Sequence, residues 1–113
     1  LRFPVWSRNV EDYDVLIYAA NWPKPRINAW NTLLKARAIE NVSYCLGVNR
    51  VGVDANGYEY SGNSIAIDCL GNELTDLCEN KEAVIYATLH KDELIKIREK
   101  LPFLEDKDQF TIQ

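Results

Sequence analysis

His90 and the three cysteines, Cys45, Cys69 and Cys78, are the side chains of this 113-residue chain whose types suit nucleophilic or metal chemistry. A thiol becomes a working nucleophile only with a base within hydrogen-bond reach. His90 is the single histidine, and it stands 12 residues from Cys78, 21 from Cys69 and 45 from Cys45, so folding alone would have to bring any such pair together. Cys45 and Cys69 lie in apolar, strand-like surroundings, where a small buried thiol is the ordinary reading. An odd cysteine count without CxxC spacing suggests neither a disulfide framework nor a zinc ribbon, so no metal and no cofactor is expected.

The other motifs have structural explanations of equal or greater weight. Asp54-x-Asn56-Gly57 resembles the start of a calcium loop but lacks the later acidic ligand, and turn chemistry explains it better. Gly47 and Gly52 are not followed by the Lys and Ser/Thr of a phosphate cradle. Asn41-Val42-Ser43 matches a glycosylation sequon but falls at the end of an expected helix. Lys91-Asp92-Glu93-Leu94 is internal and cannot act as a C-terminal retention address.

The elements that must position any site follow from periodicity. A short helix is expected over 4–11, with Pro4 in its first turn. Asp14 to Ala20 is an apolar run that suits a strand covered on both faces. Pro23 and Pro25 end it. Ile27, Trp30, Leu34 and Ala38 recur at steps of three and four, predicting a helix over 26–42 with Leu33, Arg37 and Glu40 on a second, mixed seam. Strands are expected at 43–51, 58–60, 64–69, 73–77 and 83–89, forming an antiparallel run. A last helix carries Leu94, Ile97 and Leu101 on its apolar face, with Lys96, Arg98 and Lys100 elsewhere, and Pro102 stops it. Phe103, Leu104, Phe110 and Ile112 could anchor the tail.

Hydrophobic residues make up 47% of the chain, enough for one domain core. With 13 Lys+Arg against 17 Asp+Glu and the signs mixed, no basic patch for nucleic acid is expected. No apolar run approaches the roughly 20 residues that span a bilayer. Reduced thiols and the absence of a visible secretory signal suit a cytoplasmic protein. Methionine is absent, at position 1 and throughout, which predicts a piece of a longer polypeptide.

Several linked segments then carry a family resemblance. These are the opening Leu1-Arg2-Phe3-Pro4, the run Asp14 to Pro23, the helix end Ala36 to Asn41, the strand Gly47 to Gly52, and Tyr60-Ser61-Gly62-Asn63-Ser64. In that order they resemble the C-terminal part of a nitrilase-superfamily carbon–nitrogen hydrolase, with wording similar to the omega-amidase branch that acts on 2-oxoglutaramate-type amides. The resemblance implies an α/β fold, namely the C-terminal half of a four-layer α-β-β-α sandwich, with residues 1–113 forming part of one hydrolase domain. It also implies a homodimer, a small ω-amide substrate, no cofactor, and as a further partner the N-terminal half of the same protein.

The family works through a Glu-Lys-Cys triad of general base, oxyanion stabiliser and nucleophile. The resemblance places all three upstream of Leu1 and none at Cys45, Cys69 or Cys78, so this chain alone is expected to be inert. It implies substrate-side roles for Arg2, Asn21 and Trp22. Arg2 would either brace the nucleophile turn or pair with a substrate carboxylate, and Trp22 would either wall the substrate or cap a strand end as a core aromatic. Arg37, Glu40 and Asn41 would be scaffold. Val5 departs from the glutamate common at its position, and Asn63 from a common histidine. A non-catalytic α+β binding or assembly module is the rival reading, and a freestanding thiol enzyme using Cys45 is another.

Overall fold

Proline and glycine punctuation divides the chain into short elements. The computed structural model describes residues 1–113 and arranges them as β1 (Val15–Ala20), α1 (Ile27–Glu40), β2 (Tyr44–Asn49), β3 (Val51–Val53), β4 (Glu59–Ile67), β5 (Cys78–Glu79) and α2 (Lys91–Lys100). Turns of 3-10 helix lie at Pro4–Ser7, Lys24–Arg26 and Phe103–Asp106. Strand β1 runs parallel to β2 in the register Val15 to Tyr44 through Ala20 to Asn49, with α1 as the crossover that a parallel pair requires. Strand β2 pairs antiparallel with β4, which also takes β3 at its start and β5 beside Gly62 and Ser64.

The expected stripe is the face that α1 buries. Trp30, Leu34 and Ala38 are fully buried against Cys45, Ile65 and Ile67 of the sheet, with Leu1, Tyr18, Ala20, Trp22 and Ile27 around the rim. Gly47 lets the helix come this close, because a Cβ there would stand 2.5 Å from Leu34 Cδ1 and 2.9 Å from Trp30 Cζ2. A second cluster joins Leu94 of α2 to Val42, Tyr44 and Cys69.

Several expectations need correction. The helix over 4–11 shrinks to the 3-10 turn Pro4–Ser7, because the backbone of Asn9 and Tyr13 bonds to asparagine side chains. The strand over 43–51 breaks at Arg50, where the Ser64 hydroxyl accepts the Asn49 N–H at 3.0 Å. The two segments 58–60 and 64–69 fuse into β4, bent at Gly62 and Asn63, both with positive φ. Segment 73–77 contributes only a bridge from Glu73 to Ile67, and 83–89 forms no strand at all. The expected antiparallel run holds for β2, β4, β3 and β5, and β1, which lies outside that run, pairs parallel with β2. Arg98 turns inward rather than outward, donating to the Val42 and Tyr13 carbonyls and pairing with Asp14 at 2.8 Å. The tail is anchored with Leu104 at the second cluster and Phe110 under the Arg8 guanidinium, 4.6 Å from its ring centre.

Strand β1 was expected to be covered on both faces, yet its burial alternates along the strand. Its outward Val15 and Ile17, with Val48 of β2, are 36%, 62% and 55% exposed. No helix is long and apolar enough to cross a membrane.

Gly47→Ala should lower the urea midpoint by an amount equivalent to about 1–3 kcal/mol, since the added methyl must displace Leu34 and Trp30; an unchanged midpoint would contradict the close helix–sheet approach. The hydrogen bond from Lys91 holds the Asp14 carboxyl below its ordinary value against opposing burial, with Arg98 assisting. A lowered folded pKa gives a contribution complete above the unfolded value of about 3.9 and lost as pH falls through the folded one. Asp14→Asn should therefore cost stability at pH 7 and match the parent near pH 2, as followed by urea titration at both pH values.

Candidate functional site

Of the residues implied as substrate-facing, Arg2 and Trp22 meet where the chain start reaches the loop after β1, while Asn21 lines a separate depression beside it. Arg2 is exposed, with its guanidinium carbon 6.0 Å from the Trp22 ring and 5.9 Å from the Phe3 ring. No carboxylate of this chain forms an ion pair with it, in keeping with valine at position 5. Trp22 packs on Trp30 at 5.9 Å between ring centres, and its indole N–H donates to the Arg26 carbonyl. Asn21 is exposed and opens onto a shallow depression of about 480 Å³, shared with Ala19, Ala20, Val48, Asn49 and Arg50. This depression lies at the carboxyl ends of the parallel pair β1 and β2, the end at which α/β sheets place ligands.

The Trp22 loop is held by a residue that sequence reasoning passed over. Asn49 is buried; its Oδ1 accepts the Trp22 N–H at 2.7 Å, while its Nδ2 donates to the Trp22 and Gly62 carbonyls at 2.9 Å. The carboxamide replaces a missing ladder rung, so the loop keeps strand-like bonding where the prolines prevent a strand. Asparagine at the end of an apolar strand was the only sequence signal, and it does not name its partners.

At the other end of α1 the expected scaffold residues are together. Arg37 is 4% exposed, and it donates through Nε at 2.9 Å and through Nη2 to the Leu1 carbonyl, while its Nη1 reaches Glu40 at 2.9 Å. Asn41 accepts the Asn9 N–H at 2.8 Å and donates to the Arg37 carbonyl, and Asn9 donates to the Tyr13 and Asn41 carbonyls. Asn9, another residue not foreseen, completes this network. Since both amide atoms of Asn41 are bonded in a buried setting, its sequon is not presented to solvent. Asn63, with φ 58°, accepts the Ser61 hydroxyl through its side chain and the Trp30 indole N–H through its carbonyl.

Nothing here assembles a nucleophile with a base. Burial pushes the Cys45 thiol up to about 12, against a smaller opposing pull from Arg37. Cys69 is also raised by burial. The exposed His90 bonds through its backbone to Tyr44, and no cysteine is its hydrogen-bond partner. No three His, Cys, Asp or Glu side chains converge as metal ligands would. Asp54 accepts the N–H groups of Asn56 and Tyr58, which is the turn geometry expected of it.

Comparisons with known proteins give the geometry its context. The carbon-nitrogen hydrolase family profile matches residues 2–99. Omega-amidase YafV of Yersinia enterocolitica is 48% identical over 99% of this chain and 44% of its own length. A 2-oxoglutaramate amidase of Bacillus subtilis is 34% identical over 94% of this chain and 41% of its own. Among solved structures, a CN-hydrolase superfamily protein of Xanthomonas campestris with an arsenic adduct in its active site superposes with a TM-score of 0.94. It is 42% identical, over 99% of this chain and 45% of that one. A carbon–nitrogen hydrolase of Helicobacter pylori matches with a TM-score of 0.81 at 27% identity, over 93% of this chain and 42% of that one. The chain thus spans less than half the length of the curated relatives it matches, and its mixed α/β fold is that of nitrilase-superfamily structures. A profile match over nearly the whole chain places it in the carbon–nitrogen hydrolase family.

Proposed function

We propose that this chain is the C-terminal, supporting part of an omega-amidase-like carbon–nitrogen hydrolase that converts a small ω-amide such as 2-oxoglutaramate to acid and ammonia. The observation carrying this reading is the 48% identity to an omega-amidase along 99% of the chain, combined with the lack of any nucleophile–base pair inside it. The reactive Glu, Lys and Cys would precede Leu1. The carboxylate takes the thiol proton, sulfur attacks the amide carbon, and the lysine holds the oxyanion as the C–N bond breaks. The amine departs with the proton as ammonia, and water then cleaves the thioester to release the acid. In its working form the protein would be a cytoplasmic homodimer.

In this reading the two ends of α1 serve the two sides of the site. Arg37 and Asn41, with Glu40 beside them, hold residues 1–13 in place, fixing the direction from which the preceding residues arrive. Arg2, unpaired and lying against Trp22, supplies a guanidinium fork for the carboxylate of a 2-oxo acid, while Trp22 closes the same corner and Asn21 lines the depression beside it.

Three measurements test this reading. The full-length protein should release ammonia from 2-oxoglutaramate; absence of turnover on ω-amides would reject it. Arg2→Ala should raise KM by about 10- to 100-fold with kcat little changed, the loss expected for a hydrogen-bonded charge pair. A fall in kcat alone would make Arg2 a brace of the turn instead. Iodoacetamide at pH 8 should label Cys78, which is partly exposed, well before Cys45, whose thiol is buried and protonated. Rapid labelling of Cys45 accompanied by loss of activity would favour the thiol enzyme.

A further inference from the structure

We infer that the tail from Lys107 to Phe110 is a strap that sets the position of the reacting end of the chain, with Lys107 as its positioning residue. The inference rests on the reading that the nucleophile precedes Leu1. Residues 1–13 lie between that point and β1, and they contain one 3-10 turn and no strand. The tail reaches them across 98 and 100 positions of sequence. Lys107 donates through Nζ to the Asn9 carbonyl at 2.7 Å. Arg8 donates through Nη2 to the Asp108 carbonyl at 2.7 Å, and its guanidinium lies over the Phe110 ring, which gives the tail a second hold.

Lys107 lands on the node of the polar network. Asn9 is fully buried, and its N–H, Nδ2 and Oδ1 are all engaged with Asn41 and the Tyr13 backbone, so its carbonyl is the group left for the tail. Asn41 in turn donates to the Arg37 carbonyl, and Arg37 holds the Leu1 carbonyl. A buried network of this kind is worth more than its separate bonds, so a shift at Asn9 is felt at Leu1. The Lys107 side chain is only 27% exposed, which preserves the strength of a charge-assisted hydrogen bond, whereas Asp12, 3.7 Å away and 78% exposed, adds little. A tail that merely covered apolar surface would need no ammonium aimed at a buried residue's carbonyl. The reaction is sensitive to such a hold, because a misplacement of about 1 Å at the reacting atoms can cost roughly 100-fold in rate.

The test uses the full-length protein and its Lys107→Met and Lys107→Arg variants, read by steady-state turnover of 2-oxoglutaramate and by amide hydrogen exchange. Lys107→Met should lower kcat about 10-fold with KM within about twofold, the pattern of a misplaced reacting group rather than a lost substrate contact. Lys107→Arg still donates and should recover most of that loss. In Lys107→Met the amides of Asn9 and Tyr13 should exchange about 10-fold faster or more, with those of β2 and β4 unchanged. Parent-level kcat in Lys107→Met, or a rise in KM alone, would overturn the inference. So would a Lys107→Arg protein no better than Lys107→Met, or faster exchange spread through β2 and β4, which marks a general loss of stability. Should Lys107→Met fail to fold, Phe110→Ala carries the same test, with a smaller fall in kcat expected and parent-level kcat overturning it. Exchange reports no turnover: a local change at Asn9 and Tyr13 in a protein whose parent releases no ammonia would sink the amidase assignment and keep the strap, and unchanged exchange there would sink the strap whatever the turnover.

Discussion

The buried guanidinium of Arg37, closed onto the Leu1 carbonyl, is the contact on which the first part of the chain depends. A charge removed from water costs several kcal/mol unless it is paired and hydrogen-bonded. Here two donors share one carbonyl and a third meets Glu40, while Asn41 one turn on takes the Asn9 amide. Between Leu1 and Asp14 there is only one short 3-10 turn, so these side chains replace the backbone ladder that the segment lacks. Remove them and the chain start has apolar contacts but no defined direction.

The same device recurs at the opposite end of the sheet. Where β2 gives way at Asn49 and Arg50, the Asn49 carboxamide bonds to the backbone of Trp22 and Gly62, and the Ser64 hydroxyl fills the gap in the ladder. Both irregular segments that flank the candidate site are thus fixed by buried asparagines rather than by regular structure. Such a network is costly if one member is lost, because the remaining partners are then left unpaired away from water. The arrangement puts Arg2, Trp22 and Asn21 on rigid supports while leaving Arg2 and Asn21 themselves accessible.

Sequence legibility followed the range of the forces involved. Helix α1 was readable because Ile27, Trp30, Leu34 and Ala38 repeat at helical spacing, and β1 because its apolar run ends at two prolines. Spacing put Arg37 and Glu40 on one seam and resemblance added Asn41, but neither named the Leu1 carbonyl or Asn9 as their partners. Asn9 and Asn49 were invisible, since their partners lie up to 32 and 27 positions away and asparagine is an ordinary turn residue. Arg98 was misread because amphipathic patterning assigns any arginine to solvent, whereas this one satisfies carbonyls at the end of α1 and before β1. The segments 73–77 and 83–89 have strand composition, but strands need neighbours, and periodicity cannot say whether the chain contains them.

We propose that the covalent chemistry belongs to residues ahead of Leu1 while this chain holds and lines the site. Trapping the full-length protein with its amide substrate at low pH and mapping the acyl group by peptide mass spectrometry tests it most directly. A thioester on a cysteine preceding Leu1 is expected, with Cys45, Cys69 and Cys78 unmodified. An acyl group on Cys45 would contradict it.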